Sequence, residues 1–243
     1  MVVLVTGSSR GIGRSVIIEY AKRGLDVVIN YHKNEKLAKE LEKEIKDRYD
    51  VRVLTIKCDV SKEDEVENMF NQIIDEFGKI VILVNNAGVS RDTLFMDIST
   101  KDFKRIIDVN LIGTYLCSKY ALKDMLNNKK GSIVNISSTN AIDTYYPESA
   151  AYDASKSGVI SLTHNLAIEG APFVRVNCVC PGWVNTSMNE KLSFEQIEEE
   201  KRKILLNRFG ETKEIAKLVV FVSSSDGSYI NDSIIRVDGG KYN

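Results

Sequence analysis

Tyr152 and Lys156 stand four residues apart in a stretch with a helical pattern. That spacing puts both side chains on one helix face, one turn or ~6 Å apart. A free phenol has a pKa of about 10, and a nearby ammonium favours the phenolate and lowers that value. Such a phenol can give a proton to a carbonyl oxygen as hydride arrives, or take one back in reverse. Ser138 lies at the end of a strand-like run, where open parallel sheets bind ligands. Its hydroxyl can donate to the same oxygen, although Ser137 and Thr139 flank it and chemistry alone leaves the choice open. Asn110 falls on an apolar stripe with Phe103, Ile106, Ile107 and Leu111. A buried amide needs hydrogen-bond partners, so Asn110 reads either as a core amide satisfied by backbone or as part of a site.

A second constellation opens the chain. Thr6-Gly7-Ser8-Ser9-Arg10-Gly11-Ile12-Gly13 follows the first strand directly and begins a helix. Glycines let the backbone turn sharply and approach a pyrophosphate, and the helix N-terminus presents free N–H groups to it. Enzymes using NAD usually carry an acid at the end of the second strand for the ribose 2′-OH. Here Asn30-Tyr31-His32-Lys33 fills that region without one. Arg10, inside the glycine loop, could grip a 2′-phosphate as a planar fork. NADP(H) is therefore expected over NAD(H).

Other chemistries find little support. His32 and His164 have no cluster of possible ligands nearby in sequence, so neither a metal nor a Ser-His-Asp site is expected. Cys178 and Cys180 point to one face of one strand, which suits neither a disulfide between them nor a zinc site. With Cys58 and Cys117 they read as reduced, buried thiols. The 33 Lys and Arg balance 34 Asp and Glu, leaving a net charge of −1. No field of one sign draws the chain to nucleic acid or an anionic membrane. No apolar run approaches the ~18 residues of a membrane span. No basic and apolar leader precedes the first strand at Val2, so a reducing cytoplasm is the expected setting.

These groups must be held by a scaffold. Val2–Thr6, Asp26–Tyr31, Val51–Asp59, Ile80–Ala87, Gly131–Ser138, Arg175–Pro181 and Ser233–Asp238 read as strands, nearly continuous apolar runs suited to burial on both faces. Amphipathic helices are expected at about 11–23, 34–49, 62–77, 101–127, 152–171 and 212–225. Ser61 with Asp64, and Ser99 with Asp102, resemble capping boxes. Strand–helix alternation implies right-handed crossovers and one parallel sheet with helices on both faces. Residues 183–210 interrupt the alternation with a charged, helix-like Glu195–Lys203, and their length suits a substrate lid rather than a second domain.

The glycine spacing T-G-x-x-x-G-x-G resembles that of the short-chain dehydrogenase/reductase family, and the resemblance continues along the chain. Asn85-Asn86-Ala87-Gly88, Asn135-Ile136-Ser137-Ser138, Tyr152 with Lys156, Pro181-Gly182 followed by Thr186, and Val237-Asp238-Gly239-Gly240 match its motifs in order. The resemblance implies a single-domain Rossmann-type doubly wound α/β fold with a seven-stranded parallel sheet. It implies a catalytic set of Asn110, Ser138, Tyr152 and Lys156, with Asn110 holding a water that relays protons to Lys156. It implies cofactor contacts from Gly7, Ser9, Arg10, Gly11, Ile12, Gly13, Tyr31, Asp59 (against the adenine), Val60, Asn86, Ala87, Gly88, Tyr152, Lys156, Pro181, Gly182, Val184 and Thr186. It also implies pairing of the long helices across two-fold axes in a homotetramer.

Within the family the chain is most similar to the 3-oxoacyl-(acyl-carrier-protein) reductases, as in Asn185-Thr186-Ser187-Met188 and Asn207-Arg208-Phe209-Gly210. An acidic carrier protein needs basic docking residues near the site mouth, and Lys129 and Lys130 could serve. The second basic residue common in such reductases is missing, since Gly170-Ala171-Pro172-Phe173-Val174 is apolar. The family's usual Gly after the serine is also missing; Thr139-Asn140-Ala141-Ile142 stands there, in a loop about one residue longer than common. Sugar and polyol dehydrogenases share the backbone motifs and form the competing reading. A non-catalytic nucleotide sensor on this fold would typically have lost Tyr152 or Lys156.

Overall fold

The buried β-branched runs of the sequence become seven parallel strands in one sheet, seen in a computed structural model that describes residues 1–189 and 192–241. In chain order the strands are β1 (Val2–Val5), β2 (Asp26–Tyr31), β3 (Val53–Lys57), β4 (Ile82–Asn85), β5 (Gly131–Ile136), β6 (Val174–Pro181) and β7 (Ile234–Val237). Their spatial order is β3-β2-β1-β4-β5-β6-β7, every neighbouring pair parallel. The chain therefore winds one way from β1 to β3, then returns to β4 on the other side of β1. That reversal opens a crevice at the carboxyl ends of β1 and β4, where open α/β sheets take ligands.

Helices cover both faces. On one face α1 (Gly11–Ala21), α2 (Glu35–Arg48) and α8 (Thr212–Ser223) bury Val16, Ile17, Leu41, Ile45, Ile215 and Val219 against Val3, Val5, Val27 and Ile29. On the other, α3 (Glu63–Phe77), α5 (Gly113–Asn127) and α6 (Ala150–Gly170) bury Met69, Phe70, Ile73, Leu116, Met125 and Leu166 against Leu4, Val28, Leu83 and Ile133. A strand with both faces covered has no polar side, which is why these runs read as continuous rather than alternating. All four cysteines are free and buried, as expected.

Three local readings need correction. The helix expected at 101–127 is two helices, α4 (Thr100–Ile107) and α5, joined by a π-helical stretch Asp108–Ile112 that carries Asn110. A π turn inside a helix often marks a functional position, and apolar periodicity does not reveal it. Ser61 does not cap α3: Lys62 holds the N-cap position without a side-chain bond, and the Ser61 hydroxyl turns back to donate to Asp59 Oδ1 at 2.7 Å. Ser99 does cap α4, accepting from the Asp102 N–H. The capping boxes that form lie elsewhere, at Ser193 with Gln196 on α7 (Phe194–Arg202), and at Glu211 with Glu214 on α8.

The 183–210 segment returns to the sheet's edge. Val184 bridges Gly210, and Leu205 and Leu206 donate backbone N–H bonds to Gly240 and Gly239. Those glycines have a φ of 75°, and a Cβ on Gly239 would lie 2.8 Å from Ile204. The V-D-G-G motif thus acts here as a close-fitting turn under the end of the 183–210 segment. Glu190 and Lys191, within that segment, lie outside the described residues. Among the described residues no helix is long and apolar enough to cross a membrane.

Arg175, on β6, holds the far end of the fold. Its guanidinium donates to the carbonyls of Val222 (2.8 Å), Ile230 (2.7 Å) and Ser224 (3.0 Å). Those bonds close the end of α8 and the approach to β7. Arg175→Met would orphan three partly buried acceptors, so a loss of about 2–4 kcal/mol is expected in denaturant unfolding. A midpoint equal to that of the parent would show that these bonds contribute nothing.

Candidate active site

The glycine loop is pinned from two sides by buried polar side chains. The Thr6 hydroxyl accepts from the backbone N–H groups of Asn86 and Ala87, both at 3.0 Å. The Asn86 amide returns bonds to the Thr6 (2.9 Å) and Gly7 (3.2 Å) carbonyls. Asn30 accepts from the Gly7 N–H at 2.9 Å and donates to the Cys58 carbonyl at 3.2 Å. The loop therefore packs directly on the end of β4. A Cβ on Gly7 would lie 2.9 Å from Ala87 Cα, and one on Gly13 would lie 2.5 Å from Asn86 Nδ2 and 2.9 Å from the Gly7 carbonyl.

These residues fit a dinucleotide. α1 starts at Gly11 with no side-chain cap, so its first N–H groups stay free for an anion. A Cβ on Gly11 would project toward Thr186, stopping 3.7 Å from its methyl. The loop and the first residues of the 183–210 segment thus face each other across a narrow slot. Pro181 ends β6 beside Val237, Gly182 lies so close to Asp238 that a Cβ would fall 2.5 Å away, and Val184 is buried. Ser9 is buried, Ile12 half-buried and Arg10 exposed. Tyr31 ends β2, its phenol pushed up by burial and by the Glu35 carboxylate. Val60 packs on Gly113, where a Cβ would be 2.7 Å away. Asp59, beside it, accepts from Ser61 and from Arg105 Nη2 at 3.1 Å, and His32 Nε2 stands 3.6 Å off. Burial works to raise the Asp59 pKa, but the Ser61 and Arg105 bonds outweigh it and hold the carboxyl below its usual range.

At the next strands the expected quartet comes together. Lys156 is buried, and its Nζ donates to the Ile136 carbonyl at 2.8 Å, beneath the Tyr152 ring at 5.7 Å from the centroid. Gly88 links the two halves of the crevice: a Cβ there would be 3.6 Å from Lys156 Nζ and 3.4 Å from Asn110 Oδ1. The serine choice resolves geometrically. The Ser137 hydroxyl donates to the Lys156 carbonyl at 2.8 Å, away from the cleft, while the Ser138 hydroxyl lies near enough to the Tyr152 phenol to pull its pKa down. Asn110 is fully buried and satisfied: its Oδ1 accepts from the Val89 N–H (2.8 Å), and its Nδ2 donates to the Val89 carbonyl (2.9 Å) and to Ser155 Oγ (3.0 Å). Its side chain thereby ties the π turn to the loop after β4 and to α6.

The electrostatics differ from the sequence expectation. Loss of hydration pushes the Tyr152 phenol up to about 12; the Ser138 hydroxyl pulls it back, and Asp153 and Cys180 add to the rise. The ammonium does not bring it below 10 in this geometry. Burial pushes Lys156 itself down to about 8, opposed by the Cys178 and Cys180 sulfurs. The desolvation that brings the pair together acts on both groups in the direction of neutrality.

Sequence reasoning missed several participants. Asn30 is a lone amide in the apolar run of β2; as a buried polar group it had to bond something, and that was the available signal. The loop between Ser138 and Tyr152 is latched to the 183–210 segment, since the Tyr146 phenol donates to Glu200 Oε2 at 2.8 Å and the Trp183 indole donates to the same oxygen at 3.0 Å. Lys129 and Lys130 are not at the mouth of this cleft. They precede β5 at its amino end, while Ser138 lies past its carboxyl end, roughly 20 Å away along the strand.

Comparison with known proteins gives a consistent picture. A family model described as enoyl-(acyl carrier protein) reductase matches residues 7–242. A 3-oxoacyl-(acyl-carrier-protein) reductase of Staphylococcus aureus (strain Mu50 / ATCC 700699) is 39% identical over 241 residues, 98% of this chain and 97% of that one. The reductase of the same name from Aquifex aeolicus (strain VF5) is 39% identical over 242 residues, 99% of this chain and 97% of its own length. Among solved structures, a double mutant of a Serratia marcescens short-chain dehydrogenase/reductase superposes with a TM-score of 0.93 at 31% identity, covering 98% of this chain and 96% of the other.

The buried ammonium has a measurable signature. Between about pH 8 and the ~10.4 of a free lysine, the unfolded chain holds a proton that folded Lys156 does not. Stability owed to this group therefore rises with pH across that window, and below it the charge destabilises the fold. Lys156→Met is expected to raise Tm at pH 7, with the gain fading as the pH climbs toward 10.4. An equal or lower Tm at pH 7 would contradict the burial argument.

Proposed function

The chain belongs to the short-chain dehydrogenase/reductase family, and on that premise we propose that it uses NADPH to reduce the 3-oxo group of an acyl thioester to a 3-hydroxyl. It is an oxidoreductase that takes a nicotinamide cofactor, similar to enzymes named for acyl-carrier-protein substrates. The observation that carries the reading is the joining of a phenol, a serine hydroxyl and a buried ammonium at the carboxyl ends of the strands, across the crevice from an uncapped helix N-terminus.

A nicotinamide cofactor held by the glycine loop would supply the hydride that the carbonyl carbon takes up. The substrate oxygen takes a hydrogen bond from Ser138 and the proton of Tyr152, leaving a phenolate. Lys156, held on the Ile136 carbonyl, faces that phenolate as a cation and returns a proton to it. Developing charge on oxygen in a dry cleft lifts the value of each fixed donor. Asn110 acts by positioning Val89 and α6, with both of its amide N–H groups engaged. Thr6, Gly7, Gly11 and Gly13 seat the pyrophosphate, and Asp59 closes the adenine end. Arg10, exposed and without an ion-pair partner among the described residues, grips the 2′-phosphate. Residues 1–243 work as one catalytic domain with 183–210 as its lid. Exposed Ile112 and Tyr115, and Ile168 on α6, suit pairing between copies in a homotetramer.

The position of Lys129 and Lys130 leaves the carrier-protein half of this reading weaker than its chemistry, because within one chain they cannot guide a carrier to the cleft. A free small carbonyl or polyol is accordingly the competing substrate. Following NADPH absorbance with acetoacetyl-(acyl-carrier-protein), acetoacetyl-CoA and a sugar panel separates the two. Turnover of the thioesters at least tenfold above any sugar is expected, and the reverse order would replace the substrate assigned here. Tyr152→Phe should lower kcat by about 10²–10⁴. Arg10→Ala should raise the KM for NADPH about tenfold, ~1.4 kcal/mol, and leave that for NADH unchanged. Equal kcat/KM for the two cofactors in the parent enzyme would defeat the NADP(H) assignment.

A further inference from the structure

Three side chains close a ring beyond the end of β3. The Arg105 guanidinium, on α4, donates from Nη2 to Asp59 Oδ2 at 3.1 Å and from Nη1 to Ser61 Oγ at 2.9 Å. The Ser61 hydroxyl donates to Asp59 Oδ1 at 2.7 Å, and the Ser61 backbone N–H donates to the same oxygen at 3.1 Å. The Asp59 backbone N–H is itself held by Glu65 Oε2 at 2.7 Å. Arg105 lies outside the sequence motifs, and the chemistry at Tyr152 does not use it. We propose that Arg105, acting through Ser61 and Asp59, is a positioning residue that sets the base specificity of the cofactor site: it leaves Asp59 one open acceptor site beside the Val60 N–H, and so selects adenine over a 6-oxopurine. The inference rests on the reading above that Asp59 closes the adenine end.

Hydrogen-bond polarity fixes the ring. A guanidinium only donates, so Ser61 Oγ accepts from it and sends its single proton to Asp59. An ionised carboxylate offers about four lone-pair sites. Ser61 fills both sites on Oδ1, and Arg105 fills one on Oδ2. His32 Nε2 stands 3.6 Å from Oδ2, outside hydrogen-bond range, so one acceptor site stays open. Burial works against ionisation, but the Ser61 and Arg105 bonds outweigh it and keep the carboxyl charged. Next along the chain, buried Val60 has a backbone N–H that donates to no protein group among the described residues. A buried N–H calls for a partner. An acceptor beside a donor complements the edge of adenine, whose 6-amino group donates and whose N1 accepts. Hypoxanthine carries the opposite pair, a 6-oxo acceptor and an N1–H donor, and would leave both groups unpaired. Without the guanidinium the carboxylate can swing, and the Ser61 hydroxyl can turn its proton to a 6-oxo oxygen. The preference for adenine is then lost.

The test is calorimetric binding, without turnover, of NADPH and of its hypoxanthine analogue, repeated with NADH and its analogue so that the outcome does not hang on the 2′-phosphate. The parent protein should hold the adenine form roughly tenfold or more tightly. In Arg105→Met that ratio should fall below about threefold. In Arg105→Gln, whose amide cannot fork onto both Asp59 and Ser61, it should fall likewise, and this variant decides the matter if Arg105→Met does not fold. A parental ratio in either folded variant overturns the inference, even where both affinities drop, because a merely structural role weakens the two forms together. Asp59→Ala, run beside them, separates the two failures. If the parent shows no preference, or Asp59→Ala keeps it, the placing of adenine at Asp59 falls. If Asp59→Ala erases the preference while the Arg105 variants keep it, only the role of Arg105 does.

Discussion

A lysine ammonium lies almost without solvent contact against the carbonyl of Ile136, and the cleft is organised around keeping it there. An isolated buried cation is costly. It persists here because one strand carbonyl meets it head-on and because the phenol of Tyr152 and the two sulfurs of β6 surround it with polarisable groups. The same burial depresses the lysine toward neutral pH and raises the tyrosine away from it. At neutral pH the cleft therefore holds a protonated phenol above a lysine close to its own titration.

Rigidity around that ammonium comes from amides and hydroxyls more than from charge. Asn110 spans the π turn, the loop after β4 and α6 with three bonds. Thr6, Asn30 and Asn86 do the same for the glycine loop. Each is a short polar side chain at the end of an apolar run, where the ladder stops and backbone groups would otherwise be left unpaired. The chemistry sits where the sheet's own hydrogen bonding runs out, and side chains finish it.

The substrate side is built differently. Tyr146, Trp183 and Glu200 join two loops and α7, with Trp183 stacked on Phe209 at 5.5 Å between centroids. These contacts are distant in sequence and carry no local pattern. They tie the segment between Ser138 and Tyr152 to the 183–210 segment.

Periodicity and apolar runs in the chain determined the seven strands, their parallel sense and the covering helices, because each is dictated by nearest-neighbour pattern. Motif order determined that Tyr152 and Lys156 share a helix face and that the glycine loop opens a helix. Only the tertiary structure decided which of Ser137 and Ser138 faces the cleft, that Asn110 rides a π turn, that Ser61 serves Asp59 instead of a helix end, and that Lys129 and Lys130 stand at the wrong end of β5. The reason is common to all four. A side chain's direction and its hydration depend on what packs against it from elsewhere in the chain, and burial reversed the expected balance at Tyr152 for the same cause.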